Sequence, residues 1–230
     1  MTDSTYFYRQ ISLLPYRASH LLNTVFFLFM LLSGQVLASA DTKILVFGDS
    51  LSAAYGLEPD EGWVTLLEER LEDDNYPATV ANASVSGETT SGGVARLPAA
   101  LQAHQPDLII LELGGNDGLR GLPVAQMRTN LQEMIELSLG NGAEVLLVGI
   151  QIPPNYGPRY TEPFYAQYQE LAEAYDLALL PFLLEGIADN PDLMQNDGVH
   201  PVADAQSMIV DNIWPVLAPL LPAPQVSGES

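Results

Sequence analysis

The sequence predicts a three-layer α/β sandwich, a five-stranded parallel sheet covered by helices on both faces. Three observations predict it. Short apolar runs recur five times, longer segments of helical period separate them, and no internal repeat, low-complexity block or linker divides the chain. Strands alternating with helices pair in parallel and bury both faces of the sheet.

The first run is Ile44-Leu45-Val46-Phe47, and it stops on Gly48-Asp49-Ser50. Trp63 to Leu71 follows as a helix, with Leu66, Leu67 and Leu71 recurring on one face. Ala78 to Ala83 reads as the second strand and Gly92 to His104 as the second helix. Leu108-Ile109-Ile110-Leu111 is the third strand and runs into Glu112-Leu113-Gly114-Gly115. Val124, Met127, Leu131, Ile135 and Leu139 mark a long amphipathic helix, closed by Gly140-Asn141-Gly142 before the strand Glu144 to Val148. A loop rich in Pro, Gly and Tyr spans Ile152 to Tyr160. Phe164 to Tyr175 then reads as helix, Leu177 to Leu180 as the fifth strand and Ala203 to Leu217 as the last helix.

The chain has 230 residues, and its first forty differ from the rest. Arg9, Arg17 and His20 precede an apolar stretch from Leu21 to Leu32, followed by small residues ending Ala38-Ser39-Ala40. That pattern is a secretory leader with an A-x-A cleavage site. An uncleaved anchor is the alternative, but Asn23, Ser33, Gly34 and Gln35 interrupt a stretch that must reach about 20 apolar residues to span a bilayer. The expected organisation is a signal peptide over 1–40, one domain over 41–222 and a tail over 223–230, giving a periplasmic or secreted, monomeric protein without a stable membrane anchor. Export permits disulfides, yet there is no cysteine, so the fold rests on its core. The net charge is −21, with 29 acidic residues against 8 Lys and Arg, and such a surface repels phosphate backbones. No nucleic-acid partner is expected.

In open parallel sheets ligands sit at the carboxyl ends of the strands. Four segments there carry suggestive residues: Gly48-Asp49-Ser50, Ser84-Val85-Ser86-Gly87, Gly114-Gly115-Asn116-Asp117 and Asp197-Gly198-Val199-His200. A hydroxyl attacks only when a base takes its proton, and the base works best when a carboxylate orients it. Ser50, His200 and Asp197 supply those roles. The choice of base is narrow, because the chain has three histidines, of which His20 lies in the leader and His104 at a helix end before Pro106-Asp107. Attack on a carbonyl also makes an oxyanion that needs donors placed in advance. The backbone N–H of Gly87, the side-chain amide of Asn116 and the N–H of Ser50, if it opens a helix, fit that need. Each segment alone also reads as an ordinary turn or helix start. Their order and their place at strand ends make the case.

These residues resemble the four blocks of the SGNH, or GDSL, hydrolases: GDS followed by Leu, a Gly in the second loop, GGND in the third, and DxxH near the end. The strings GDSLSAAYGL, LELGGNDGLRG, PPNYGPRYTE and DGVHP are similar to the periplasmic arylesterase, acyl-CoA thioesterase and lysophospholipase branch of that family. The resemblance covers nearly the whole chain after the leader and implies a flavodoxin-like fold. It also implies Ser50 as nucleophile, Gly87 and Asn116 as oxyanion donors, His200 as base and Asp197 as its orienting acid. The G-x-S-x-G elbow of the α/β-hydrolases is absent. The function expected is a serine esterase acting on aryl esters, acyl esters, thioesters or lysophospholipids, with no cofactor. A carbohydrate O-acetyl esterase and a noncatalytic lipid or glycan binder are the alternatives.

Other residues carry expectations of structure. Glu112 within an apolar strand must be paired or have a wet face, and is expected to fix a loop near the site. Asp49 is expected to brace its loop. Gly118 to Pro123 is either a flap, with Leu119 against the acyl chain, or a rigid turn with Arg120 facing solvent. Pro153 and Tyr156 are expected to contact substrate. No cluster has metal-ligand spacing.

Overall fold

The computed structural model describes residues 41–225. The leader assigned to residues 1–40 and the end of the predicted tail lie outside the described residues.

Five strands form one parallel sheet: β1 (Thr42–Gly48), β2 (Ala78–Asn82), β3 (Leu108–Glu112), β4 (Glu144–Val148) and β5 (Ala178–Leu180). Their order is β2-β1-β3-β4-β5. The helices are α1 (Trp63–Asp73), α2 (Thr90–His104), the short α3 (Gly115–Leu119), α4 (Val124–Gly140), α5 (Pro158–Tyr175) and α6 (Gln206–Leu217). α1 packs beside α6, while α2, α4 and α5 pack in series, the division into two helical layers that right-handed crossovers produce for this strand order. The predicted three-layer class is therefore the observed one. No helix among the described residues is long and apolar enough to cross a membrane.

Burial follows position in the sheet. Every residue of β3 is buried, as are Ile44 to Gly48 of β1, whereas the edge strand β2 is only partly covered. Leu45, Val46, Phe47, Ile109, Ile110 and Leu111 are fully enclosed by the two helical layers. Burying side chains of this size stabilises the fold by about 1.5–3 kcal/mol each.

Several boundaries differ from the sequence reading by one or two residues, and three differences are larger or bear on the site. The helix expected from Phe164 starts at Pro158, because proline suits a first turn, where its missing N–H is not needed. Pro163 lies inside that helix and gives up one bond without ending it. The last helix begins at Gln206, preceded by a 3₁₀ turn over Ala203–Ala205. Ser50 opens no helix: the chain turns with Ala53 N–H on the Asp49 carbonyl, and Ala54 at φ +52° ends the run.

The sheet order reverses between β1 and β3, where crossovers depart in opposite directions. There Val46 pairs with Ile110 and Gly48 with Glu112, so the loops leaving the two strands start side by side.

Candidate active site

Ser50 follows β1 by two residues and is held from several sides. The Asp49 N–H donates to Glu112 Oε2 (3.2 Å), the Leu51 N–H to Asp49 Oδ1 (3.1 Å), and the indole N–H of Trp63 to the Leu51 carbonyl (3.1 Å). Asn82 donates to the Ser52 carbonyl at 2.8 Å. The serine thus sits in a turn whose neighbours are tied to β2, β3 and α1.

His200 Nε2 lies 2.9 Å from Ser50 Oγ, and its Nδ1 lies 2.7 Å from Asp197 Oδ2. A carboxylate only accepts, so Nδ1 carries the proton and Nε2 is left to accept from the serine hydroxyl. The second oxygen of Asp197 accepts from the backbone N–H groups of Val199 (2.9 Å) and His200 (3.0 Å). Partial burial pushes the Asp197 carboxyl up, but the His200 ring and these two N–H groups outweigh it and hold the group at about 2. Gly198 at φ +67° makes this tight turn possible. The imidazole is also covered by the Tyr55 ring, with centroids 4.4 Å apart and planes tilted by 34°. Gln195 holds both sides of that stack, donating to the carbonyls of Tyr55 (2.9 Å) and Pro201 (3.0 Å).

Asn116 lies in α3, and its amide donates to Asp49 Oδ2 at 3.0 Å, leaving its second N–H for another acceptor. Asp49 therefore braces both its own loop and the asparagine, as the sequence suggests. It is 2% exposed, and burial raises its carboxyl to about 6, against the lowering effect of the Leu51 N–H and the Asn116 amide. Glu112 behind it is fully buried, and burial followed by the charge of Asp49 pushes it well above the usual carboxylate range. Its Oε2 accepts from Ser52 Oγ (2.7 Å), while Oε1 has no partner among the described residues. A pair pushed this far apart from ordinary carboxylates shares a space in which two negative charges are costly. Glu112 is thus enclosed and paired through Oε2, and it fixes the Ser50 loop.

Gly87 occupies the third position of a turn from Val85 to Glu88, closed by a 3.0–3.1 Å network in which Val85 N–H donates to Gly48 and Glu88 N–H to Val85. Its φ of +79° suits a type II turn. Ser50 and Gly87 donate their backbone N–H groups to no protein acceptor among the described residues.

A cavity of about 600 Å³ opens beside Ser50 and extends from β1 and β3 past β4 toward the segment after β5. Ser50, Asn116 and His200 line it, with Leu119, Pro153, Ile150, Ile152, Phe182, Leu184 and Met194 among its apolar walls. Of the expected contact residues, Leu119 and Pro153 face this space. Tyr156 does not: it donates its hydroxyl to the Leu119 carbonyl (2.7 Å) and supports that wall from behind. Tyr160 holds the Leu122 carbonyl (2.7 Å) in the same way. Gly118 is packed into α3, where an added Cβ would meet Ile152 at 2.5 Å. The segment from Gly118 to Pro123 is therefore a tethered turn in this structure. The wall after β5, the Tyr55 stack and the tyrosine tethers were missed in the sequence. Apolar residues after a strand look like core there, and a single tyrosine carries no periodic signal.

An α/β sheet with a Ser, His and Asp hydrogen-bonded in series at its carboxyl edge has the architecture of a serine hydrolase. The chain belongs to the GDSL-like lipase/acylhydrolase family, whose model matches residues 46–207. It is 52% identical to the esterase TesA of Pseudomonas aeruginosa over 184 residues, 80% of this chain and 91% of that one. It is 44% identical to the thioesterase 1/protease 1/lysophospholipase L1 of Escherichia coli over 195 residues, 85% of this chain and 92% of that one. A crystal structure of TesA superposes with a TM-score of 0.77 at 52% identity, covering 78% of this chain and all of that one.

Proposed function

We propose that the protein hydrolyses carboxylic esters and thioesters through an acyl-enzyme on Ser50. One observation carries the reading: the unbroken series from Ser50 Oγ through His200 to Asp197, at 2.9 and 2.7 Å, at the mouth of a cavity with both apolar and polar walls. Ser50 Oγ adds to the substrate carbonyl carbon as its proton passes to His200 Nε2, and the carbonyl electrons move to oxygen. The oxyanion is received by the N–H groups of Ser50 and Gly87 and the amide of Asn116. Collapse expels the alcohol or thiol, which takes the proton from His200. Water then attacks the acyl-enzyme with the same base and releases the acid and Ser50. Asp197, held at about 2, stays ionised throughout and stabilises the imidazolium.

The substrate class follows from the walls. Ile150, Ile152, Phe182, Leu184 and Met194 suit an alkyl or aryl acyl group, while Gln151, Glu185 and Asp189 supply polar contacts on the same walls. The relatives named for esterase, thioesterase and lysophospholipase activity support the same range. The leader over residues 1–40 supports export to the periplasm or beyond, with a lipid or small-molecule ester as substrate there.

The test is initial rate on nitrophenyl esters from acetate to palmitate, a palmitoyl thioester and a lysophospholipid, each against Ser50→Ala. The wild type should turn over at least one member and the folded variant none, with acyl adducts appearing by mass spectrometry only when Ser50 is present. Full-rate turnover by Ser50→Ala would discard the assignment.

A further inference from the structure

In a chain with 29 acidic residues against 8 Lys and Arg, an arginine is expected beside a carboxylate. Arg70, Arg96 and Arg128 obey, pairing with Asp211, Glu88 and Glu170 at 2.6–2.8 Å. Arg120 does not. Its Nη2 donates to the backbone carbonyl of Gly87 at 2.8 Å, and it makes no ion pair among the described residues.

That carbonyl belongs to the turn that presents the Gly87 N–H, and Gly87 has no side chain to restrain it. A type II turn differs from a type I turn by rotation of its central peptide, here the one joining Ser86 to Gly87. Such a rotation would point the Gly87 N–H away from the site and replace it with a carbonyl oxygen. A guanidinium on the Gly87 carbonyl fixes the residue on its far side and limits that rotation. The other end of Arg120 is fixed too: its backbone N–H donates to the Asn116 carbonyl at 3.2 Å, and Tyr156 and Tyr160 hold the Leu119 and Leu122 carbonyls on either side. One residue thus spans the two loops whose donors must converge on the same oxygen.

We propose that Arg120 is a positioning residue of the oxyanion hole, locking the Gly87 turn to the Asn116 helix. This rests on the reading of Gly87 as a donor. Arg120 touches no reacting atom, so its loss misplaces a donor without deleting it.

The test is steady-state kinetics on a nitrophenyl ester for Arg120→Met, Arg120→Lys and Gly87→Ala, with Arg120→Met combined with Gly87→Ala, and thermal melting of each. Deleting a single oxyanion donor costs about 100- to 1000-fold in kcat, so Arg120→Met should cost about tenfold with KM within about twofold. Melting should stay near wild type, since Arg120 is exposed. Arg120→Lys should recover most of the rate, because one carbonyl needs one N–H donor. Alanine keeps the N–H of Gly87 but resists its left-handed φ, so Gly87→Ala should itself be slow, and adding Arg120→Met should cost nothing more. An unchanged kcat in Arg120→Met beside a slow Gly87→Ala would overturn the role of Arg120 and leave the hole intact. Losses that multiply in the combined variant, or that appear in KM and melting alone, would also overturn it. A full-rate Gly87→Ala would instead remove Gly87 from the hole and the present inference with it.

Discussion

Asp49 is a carboxyl that folding places in a poor environment for charge. Its ordinary value is 3.8 and burial raises it to about 6, so the folded state binds the proton more tightly than the unfolded chain. The sign follows from linkage: the group favours folding at low pH, and this contribution is lost as pH rises from about 4 to about 6. At neutral pH the charge opposes folding by an amount on the order of 3 kcal/mol. Urea unfolding of Asp49→Asn should therefore show the variant gaining on the wild type across that window, whatever its absolute stability. A constant difference between pH 4 and 8 would refute the buried charge. The cost is tolerated because the same carboxylate aims the Asn116 amide. Asn116→Ala should lower kcat by about 100- to 1000-fold, as for single oxyanion donors elsewhere, and should also lose about 1–3 kcal/mol of stability because Asp49 Oδ2 loses its donor. Among these residues the sequence shows the chemistry well. Only three histidines exist, one among residues 1–40 and one at the end of α2, so His200 is the candidate base by scarcity. Tyr55 and Arg120 are invisible by the same logic, since a common side chain gains meaning only from what it touches.

At the scale of elements, the site is an outcome of register. β1 and β3 pair Gly48 with Glu112, and this brings Ser50 and Asn116 to adjacent loops at the point where the sheet reverses direction. The far wall depends on a second close approach. Gly149 follows β4 with its N–H on the Leu180 carbonyl at 2.7 Å, and an added Cβ would lie 2.1 Å from the Pro181 carbonyl oxygen. The obstacle is backbone, so no rotamer change relieves it. Gly149→Ala should destabilise by about 2–3 kcal/mol in urea unfolding and widen the cavity at Phe182 and Leu184, seen as an altered chain-length preference. Wild-type stability in that variant would show that the segment after β5 is free to shift. The strands and helices themselves were legible from apolar period. The start of α5 was not, because proline reads as a breaker whether it sits in the first turn or ends a helix, nor was that of α6, because a 3₁₀ turn and an α-helix share the same apolar spacing over three residues.

For the whole molecule the dominant quantity is charge. At −21 the surface repels itself, and ion pairs with three arginines offset little of it. Salt shortens the reach of that repulsion from about 30 Å at 0.01 M to below about 10 Å above 0.1 M. The melting temperature should therefore rise by a few degrees between those conditions. A flat or falling curve would mean that attractive pairs outweigh the net charge. The same field disfavours polyanionic leaving groups such as that of an acyl-CoA, and rates on such a substrate should gain more from salt than rates on a neutral nitrophenyl ester.

The amino-acid sequence by itself determined the order of strands and helices, the family and the candidate residues for acyl transfer, because period, scarcity and motif are properties of a linear string. The tertiary structure alone decided that Glu112 is enclosed and paired, that Tyr156 supports the wall from behind, and that Arg120 holds the Gly87 turn. Those facts depend on distances between segments remote in the chain. Such distances exist only once the sheet order and register have brought the loops together.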